Sequence, residues 1–300
     1  MSQTALSEKE TRAGVELIPA FRFDKIELKT LADQYGPQFR ENTPFPHIVI
    51  PNLLPDEIAR RLVDEFPGPA NPGWRLTGPG DSNHSGDPQI EKLGTSNEQF
   101  FPPLTRHIMH EFNSGTFVGF IEALTGWSGL MPDPSFYGCG MHSTGRGGRL
   151  MVHADASRHP NPKLHQVLNM IYYVTPDWQD AWGGQLEMWD RDATHCITKV
   201  TPTFNAALVF FTGSRSYHGH PHPLETPPGV RRNSLAAYYY TTDRDLDADY
   251  TGYKNYVEWI RTTELDRKFS LGHVAKAGVR KFLPKSVVNQ MAKVVRRLRK

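Results

Sequence analysis

Residues 206–241 read "AALVFFTGSRSYHGHPHPLETPPGVRRNSLAAYYYT", and the reading of this stretch decides the fold. Three extended runs, 206–212, 216–222 and 232–241, are rich in β-branched and aromatic residues and are separated by Gly, Pro and Ser, the pattern of strands and their turns. In the last run the two-residue period of a strand puts Arg232, Ser234, Ala236 and Tyr238 on one face. A guanidinium and a hydroxyl would thus point inward together, where a bare charge is costly unless a ligand meets it.

Five more runs of the same kind lie upstream: "FYGCGMH" (136–142), "RLMVHAD" (149–155), "HQVLNMIYYV" (165–174), "GQLEMWD" (184–190) and "CITKVT" (196–201). Eight strands with Gly and Pro punctuation predict a jelly roll, or double-stranded β-helix. With 25 Gly and 24 Pro the composition also argues against a helical bundle, which tolerates few such breakers. The class expected is therefore α+β, mainly β, with a cupin-like core, flanking N-terminal helices and a helical basic tail.

The chain divides on paper into four stretches. Residues 1–20 are polar, without a periodic apolar face. Residues 21–135 are read as helical and strand support: "FPHIVIPNLLPDEIARRLVDEF" (45–66) predicts a short strand and then a helix with Pro55, Asp56 and Glu57 at its start. Residues 67–100, rich in Gly, Pro, Asn and Ser, read as one long loop, either a lid or a surface excursion. Residues 101–126 carry helical spacing through Leu104, Ile108, Phe112, Phe117, Ile121 and Leu124. Residues 136–245 form the expected catalytic core, and 246–300 a C-terminal helical extension.

Chemistry enters with His153 and Asp155, two apart at the end of a strand and so on one face. His218, His220 and His222 follow in alternate positions. Two imidazoles and one carboxylate leave about three open positions on an octahedral ion, the layout that suits ferrous oxygenases, whereas structural zinc is more often enclosed by four ligands. Arg232 offers a bidentate partner for a carboxylate, with Ser234 as a further donor.

Together, "HAD", "LNMIYYVTPDW", "GGQLEMW", "ALVFFTGSRSYHGHPHPL" and "RRNSLAAYYY" resemble the prolyl-4-hydroxylase-like branch of the 2-oxoglutarate/Fe(II) dioxygenases. The resemblance covers residues 136–242 well and 45–66 weakly. It implies that His153, Asp155 and His218 hold Fe(II), and that Arg232 anchors the 2-oxoglutarate carboxylate. Tyr173 matches a tyrosine that donates to the same group; Asn169 would share its face, and His142 falls near another co-substrate position. Ascorbate is an auxiliary reductant the resemblance brings with it. Asp155 stands where halogenases of the superfamily have a small residue, so the outcome implied is hydroxylation of an aliphatic C–H. The stretch "LETPPG" is longer than in prolyl hydroxylases, which leaves Arg231 to compete with Arg232; the "RxSLxxYYY" register favours Arg232. His220 and His222 then read as rim or supporting residues, and Gly183 and Gly184 as a turn between strands.

The substrate is not legible: a small molecule, a glycan precursor and a prolyl peptide all fit. A non-oxygenase cupin-like metal protein would need no carboxylate anchor, and a pure binding module would not need an intact triad. Two cysteines, Cys139 and Cys196, give no disulfide framework, and neither a secretory-type apolar stretch nor a run of about 18 apolar residues occurs. The expected location is a reducing cytoplasm. Residues 267–300 hold eleven Lys or Arg and no acid, so with an overall charge of +2 the rest carries −9. Residues 284–300 place Val287, Val288, Met291, Val294, Val295 and Leu298 on one helical face. That tail would lie on an anionic membrane surface at its inner face or dock on the acidic body; without an aromatic to stack on a base, nucleic acid is not expected.

Overall fold

Asp24 opens the first helix by accepting hydrogen bonds from the backbone N–H groups of Ile26 and Glu27, which satisfies two of the donors a helix start leaves over. This computed structural model describes residues 22–76, 88–156, 159, 164–242, 257–264 and 266. The polar segment 1–20 and the basic tail 284–300 lie outside these residues. Helix α1 (Lys25–Glu41) is followed by strand β1 (His47–Ile50), helix α2 (Asp56–Glu65), strands β2 (Arg75–Leu76) and β3 (Gln89–Thr95), and helices α3 (Pro103–Phe112) and α4 (Gly115–Thr125). Strands β4 (Met131–Pro132), β5 (Gly140–Ala154), β6 (His165–Tyr173), β7 (Leu186–Trp189), β8 (Cys196–Val200), β9 (Ala207–Phe211), β10 (His218–His220), β11 (Arg232–Thr241) and β12 (Glu258–Ile260) complete the set.

The main path of the sheet runs β1-β9-β6-β11-β5-β10-β7-β8, with antiparallel neighbours along it. It doubles back because β5 serves both halves. Residues 140–144 of β5 pair with β11 on one edge and with β3 on the other. Beyond the bulge at Gly145–Gly148, β10 replaces β11 on one edge, while on the other β3 continues to Leu150 and β12 follows it at residues 152–154. A single strand thereby crosses from one wall of the roll to the other, bent where an irregular ladder permits it.

Helices α1 to α4 cover the outer face of the first wall. Phe112 and Phe117 pack against Phe23 and Tyr172, with ring centroids 4.7–6.2 Å apart, and join Leu28, Phe39, Leu168 and Tyr239 in the principal core. Buried carboxylates hold the helices in place: Glu65 accepts from the backbone of Leu104 and Thr105 at the start of α3, and Glu111 accepts from the backbone of Arg22 and Phe23. No helix among the described residues is long and apolar enough to cross a membrane.

Three details differ from the sequence reading. Residues 67–100 are not one loop, because β3 pairs along β5 from Gln89↔Leu150 to Thr95↔Met141. Its Gly and polar content masks a strand whose inward positions face a polar cavity rather than a core. The helical stretch 101–126 is two helices, since Ser114 accepts from Phe117 N–H and caps α4. The runs 136–142 and 149–155 share one continuous strand, and β1, β3 and β12, from outside the expected core, hydrogen-bond into the same sheet.

Candidate active site

Between the two walls lies a cavity of about 340 Å³. Its metal-facing end is built by the crossing of β5 and β10, where His153 is the direct partner of His218. Gly219 makes this crossing possible: a Cβ there would stand 2.7 Å from the Met151 carbonyl oxygen, closer than a side chain can approach backbone. The nitrogen and oxygen atoms of His153, Asp155 and His218 lie within 4.8 Å of one another. His153 Nε2 is 3.3 Å from Asp155 Oδ1, and His218 Nε2 is 3.8 Å from Oδ2.

Both imidazoles are oriented by the backbone. The Nδ1 of His153 sits 2.9 Å from the Met151 carbonyl, and that of His218 2.9 Å from the Ser216 carbonyl. A carbonyl can only accept, so each Nδ1 carries the proton and each Nε2 presents a lone pair to the common point. Burial pushes His218 down to about 4, with His153 adding to the effect and Asp155 opposing it, so the ring is neutral at physiological pH. Burial also pushes the Asp155 carboxyl up. His153, His218 and the Asn169 hydrogen bond outweigh that and hold it well below the usual carboxylate range. Two imidazoles with their Nε2 atoms turned to a common point and one carboxylate, close enough for metal bonds of about 2.0–2.2 Å, fit a divalent ion.

Asn169 lines the cavity, and its Nδ2 donates to Asp155 Oδ2 at 2.7 Å. Gln166 in turn donates to Asn169 Oδ1 at 2.5 Å, a support that no spacing in the sequence announced. From the outside, β12 lays Trp259 over His153 with ring centroids 4.8 Å apart and 32° between planes. Tyr217 donates to the Glu258 carboxylate at 2.8 Å, and Arg149 and Asp266 form an ion pair with both side chains fully buried, so the segment carrying Trp259 is tied down on both sides.

At the other end of the cavity is Arg232, only 6% exposed. Its Nε donates to the Gly184 carbonyl at 2.9 Å, and its guanidinium lies 5.0 Å from the centroid of the Tyr173 ring, close to the Tyr173 hydroxyl. Gly184, at φ +77°, is needed here: a Cβ would strike Leu224 at 2.6 Å and crowd the Arg232 side chain. Arg231 points the other way, donating to the Ser143 hydroxyl and to the Ser143 and Glu91 carbonyls. Ser234 is opposite His142 on one side and Tyr173 on the other, and all of these except Tyr173 line the cavity with Arg232. His220 lines it too, whereas the exposed His222 sits at the rim, 3.7 Å from Glu187. Lys92, Gln89, Thr144 and Trp259 are lining residues that the sequence reading did not single out.

A β roll with two imidazoles and a carboxylate at one end of its cavity and a buried arginine at the other has the layout of a non-haem iron oxygenase. Residues 139–240 match the family model described as the 2OG-Fe(II) oxygenase superfamily. The protein is accordingly a 2-oxoglutarate-dependent dioxygenase that uses Fe(II).

Among solved structures the chain is similar to a prolyl hydroxylase from Trichoplax adhaerens in complex with a hypoxia inducible factor peptide fragment (16% identity, 72% of this chain and 91% of that one, TM-score 0.47). It is also similar to a prolyl-4-hydroxylase from Pseudomonas putida (15%, 72% and 99%, 0.43) and to HygX from Streptomyces hygroscopicus, solved with nickel and 2-oxoglutarate (12%, 78% and 96%, 0.40). No curated protein matches the chain.

Proposed function

We propose that this oxygenase hydroxylates an unactivated aliphatic C–H of a small molecule or glycan precursor, with His153, Asp155 and His218 holding the iron and Arg232 the far carboxylate of 2-oxoglutarate. The observation that carries the reading is one cavity with a 4.8 Å cluster of candidate ligands at one end and, at the other, a buried guanidinium that meets no carboxylate among the described residues. When bound, the iron supplies oxygen activation coupled to the conversion of 2-oxoglutarate to succinate and CO2. The chain does the rest. Asn169 and Gln166 fix the Asp155 carboxylate, the two carbonyl-bound imidazoles fix the direction of their lone pairs, and Trp259 restricts water on the outer side of His153. Arg232, held by Gly184 and Tyr173, keeps the co-substrate extended along the wall, and Ser234 is placed to add a hydrogen bond.

Succinate formation measured over a panel of sugars, amino acids and prolyl peptides tests this. His153→Ala, Asp155→Ala and His218→Ala are each expected to abolish it, and His222→Ala to leave it in place. Arg232→Ala should raise the 2-oxoglutarate KM about tenfold or more, as for a lost charge-assisted pair of about 1.5–3 kcal/mol, and Arg231→Ala should not. Activity retained in His218→Ala would sink the ligand assignment, and turnover confined to prolyl peptides would replace the substrate class.

The cytoplasm remains the location we infer, supported by two free cysteines, one of them buried. Binding of the basic tail to an anionic surface is a further proposal, resting on charge and apolar spacing alone. Salt-sensitive flotation of the full chain, but not of a chain ending at Leu283, with anionic vesicles is the expected result.

A further inference from the structure

Rows of directly paired residues cross β5 and line the cavity. One row, made of Lys92, Thr144 and Arg232, holds the proposed co-substrate anchor, and another, made of Trp259, His153 and His218, holds two of the proposed metal ligands. Between them along β5 falls Leu150, whose direct partners are Gln89 on β3 and His220 on β10. Opposed residues in an antiparallel ladder share a face, and the side chains of Gln89, Leu150 and His220 all reach the cavity.

This middle row carries polar atoms that no neighbour meets. His220 is 2% exposed, and neither of its ring nitrogens has a hydrogen-bond partner among the described residues. The same holds for the buried Oε1 of Gln89. Buried polar atoms left idle are costly, and two such side chains flanking one position of a cavity point to a ligand that meets them.

2-Oxoglutarate does not answer them. Its polar atoms sit at its two ends, a 2-oxo acid at one and a carboxylate at the other, with only methylene groups between. With one end at the metal and the other at Arg232, the part that passes the middle row neither donates nor accepts a hydrogen bond. The partner of Gln89 and His220 is therefore a second molecule.

Its chemistry follows from the side chains. An amide oxygen accepts, and an imidazole always has at least one N–H to donate, so the group they share must both donate and accept. A hydroxyl does both through one atom. The rim adds an aromatic surface: Tyr137 lines the same cavity yet is 56% exposed. His159 braces it, standing T-shaped against Tyr137 at 5.6 Å and against Tyr240 at 5.1 Å between ring centroids. The negative face of such a ring attracts the C–H groups on the face of a sugar, whose hydroxyls project from its edge.

We propose that Gln89 and His220 bind hydroxyl groups of a sugar whose ring stacks on Tyr137, so that the primary substrate of this oxygenase is a glycoside. Gln89 and His220 are then specificity-determining residues, held on either side of Leu150 by the strands that flank β5. The inference rests on the reading of Arg232 as the co-substrate anchor and narrows the substrate class proposed above, and its test separates the two.

The full chain, loaded with Mn(II) under nitrogen so that no turnover occurs, is titrated calorimetrically with 2-oxoglutarate. With 2-oxoglutarate saturating, it is then titrated with methyl α-glucoside, methyl α-galactoside and methyl α-mannoside, and with N-acetylproline methylamide. The wild type should bind at least one glycoside about tenfold more tightly than the proline derivative. Gln89→Leu and His220→Phe should each weaken that glycoside about tenfold while 2-oxoglutarate affinity stays within about threefold. His220→Gln, which keeps a donor and an acceptor, should recover part of the loss. Tyr137→Phe should keep the affinity, whereas Tyr137→Ala should lower it about fivefold, which separates a ring contact from a folding defect. The proposal falls if no glycoside binds, if the proline derivative is preferred, or if Gln89→Leu and His220→Phe leave glycoside binding unchanged. It falls too if His220→Phe lowers 2-oxoglutarate affinity as far as Arg232→Met does, because the ring would then belong to the co-substrate clamp. Unchanged 2-oxoglutarate affinity in Arg232→Met would instead remove the reading beneath it.

Discussion

The two walls of the roll are built differently. In the wall of β1, β9, β6 and β11, helices pack on the outer face, all five residues of β9 are buried, and the inner face carries Asn169, Tyr173, Arg232 and Ser234. In the wall of β10, β7 and β8 no helix among the described residues covers the outside: β8 alternates half-buried and exposed positions before Val200, Ile197 is 50% exposed, and Leu186, Met188 and Val200 share a cluster with Phe210 and Tyr173 of the first wall. A sheet covered on both faces holds its side chains against crystal-like packing, while a sheet covered on one face tolerates change on the other. Arg232, the proposed co-substrate anchor, stands on the first kind of wall. His218 and His220 come from the second, with His222 just past the end of its strand.

The contrast should break first in stability. Phe112→Ala, behind the covered wall, is expected to cost about 3–5 kcal/mol in denaturant unfolding, against about 1–2 kcal/mol for Val200→Ala in the thinner one. Equal losses would mean the walls are equally packed. Asp266→Ala leaves Arg149 buried without its carboxylate and should cost about 3–5 kcal/mol as well; a loss under about 1 kcal/mol would show that the C-terminal segment is not held by this pair.

Smaller effects sharpen the comparison at the site. Gly219→Ala must push β10 off β5, so Mn(II) affinity should fall about 10- to 100-fold, as when a supporting contact of a ligand is lost, with the melting temperature moved much less. Acid should loosen the metal-free protein through its histidines. His47, His142, His218 and His220 all have pKa values lowered by burial, so the unfolded chain takes up protons below about pH 6.5 that the folded chain refuses. Stability is therefore whole above that pH and declines as pH falls through it. A melting temperature flat from pH 7 to 5 would contradict the burial of these rings. Smallest of all, Ile197→Thr on the uncovered face should change stability by less than about 0.5 kcal/mol.

Strands with strong apolar alternation are readable from sequence, and so is the meeting of His153, Asp155 and His218, because HxD at a strand end and a distal histidine leave a spacing that survives without coordinates. Helix α1 was not recognised as such: its buried stripe is Leu28, Ala32, Gly36 and Phe39, with only two large apolar side chains. Strand β3 was hidden for a related reason, since its inward residues face a polar cavity and show no hydrophobic period. Lys92, Gln166 and Trp259 reach the site through pairing registers with β5 or a hydrogen bond across β6, and no local pattern encodes such meetings. Asn169 shares the inward-facing side of β6 with Tyr173, yet which polar atom it meets depended on where Asp155 came to rest beyond the end of β5.

The ion pair between Arg149 and Asp266 has a consequence for how the protein is made. A ribosome releases the chain from its amino end, and all three proposed ligands and Arg232 have emerged by residue 232, while Trp259 and Asp266 have yet to appear. Nascent protein therefore passes through a period in which every proposed metal ligand exists and Trp259, which lies over His153 in the full chain, does not. A chain ending at Thr242 is expected to take up Mn(II) faster than the full chain and to release it faster too, and equal rates of uptake in a stopped-flow comparison would show that the late segment is no gate.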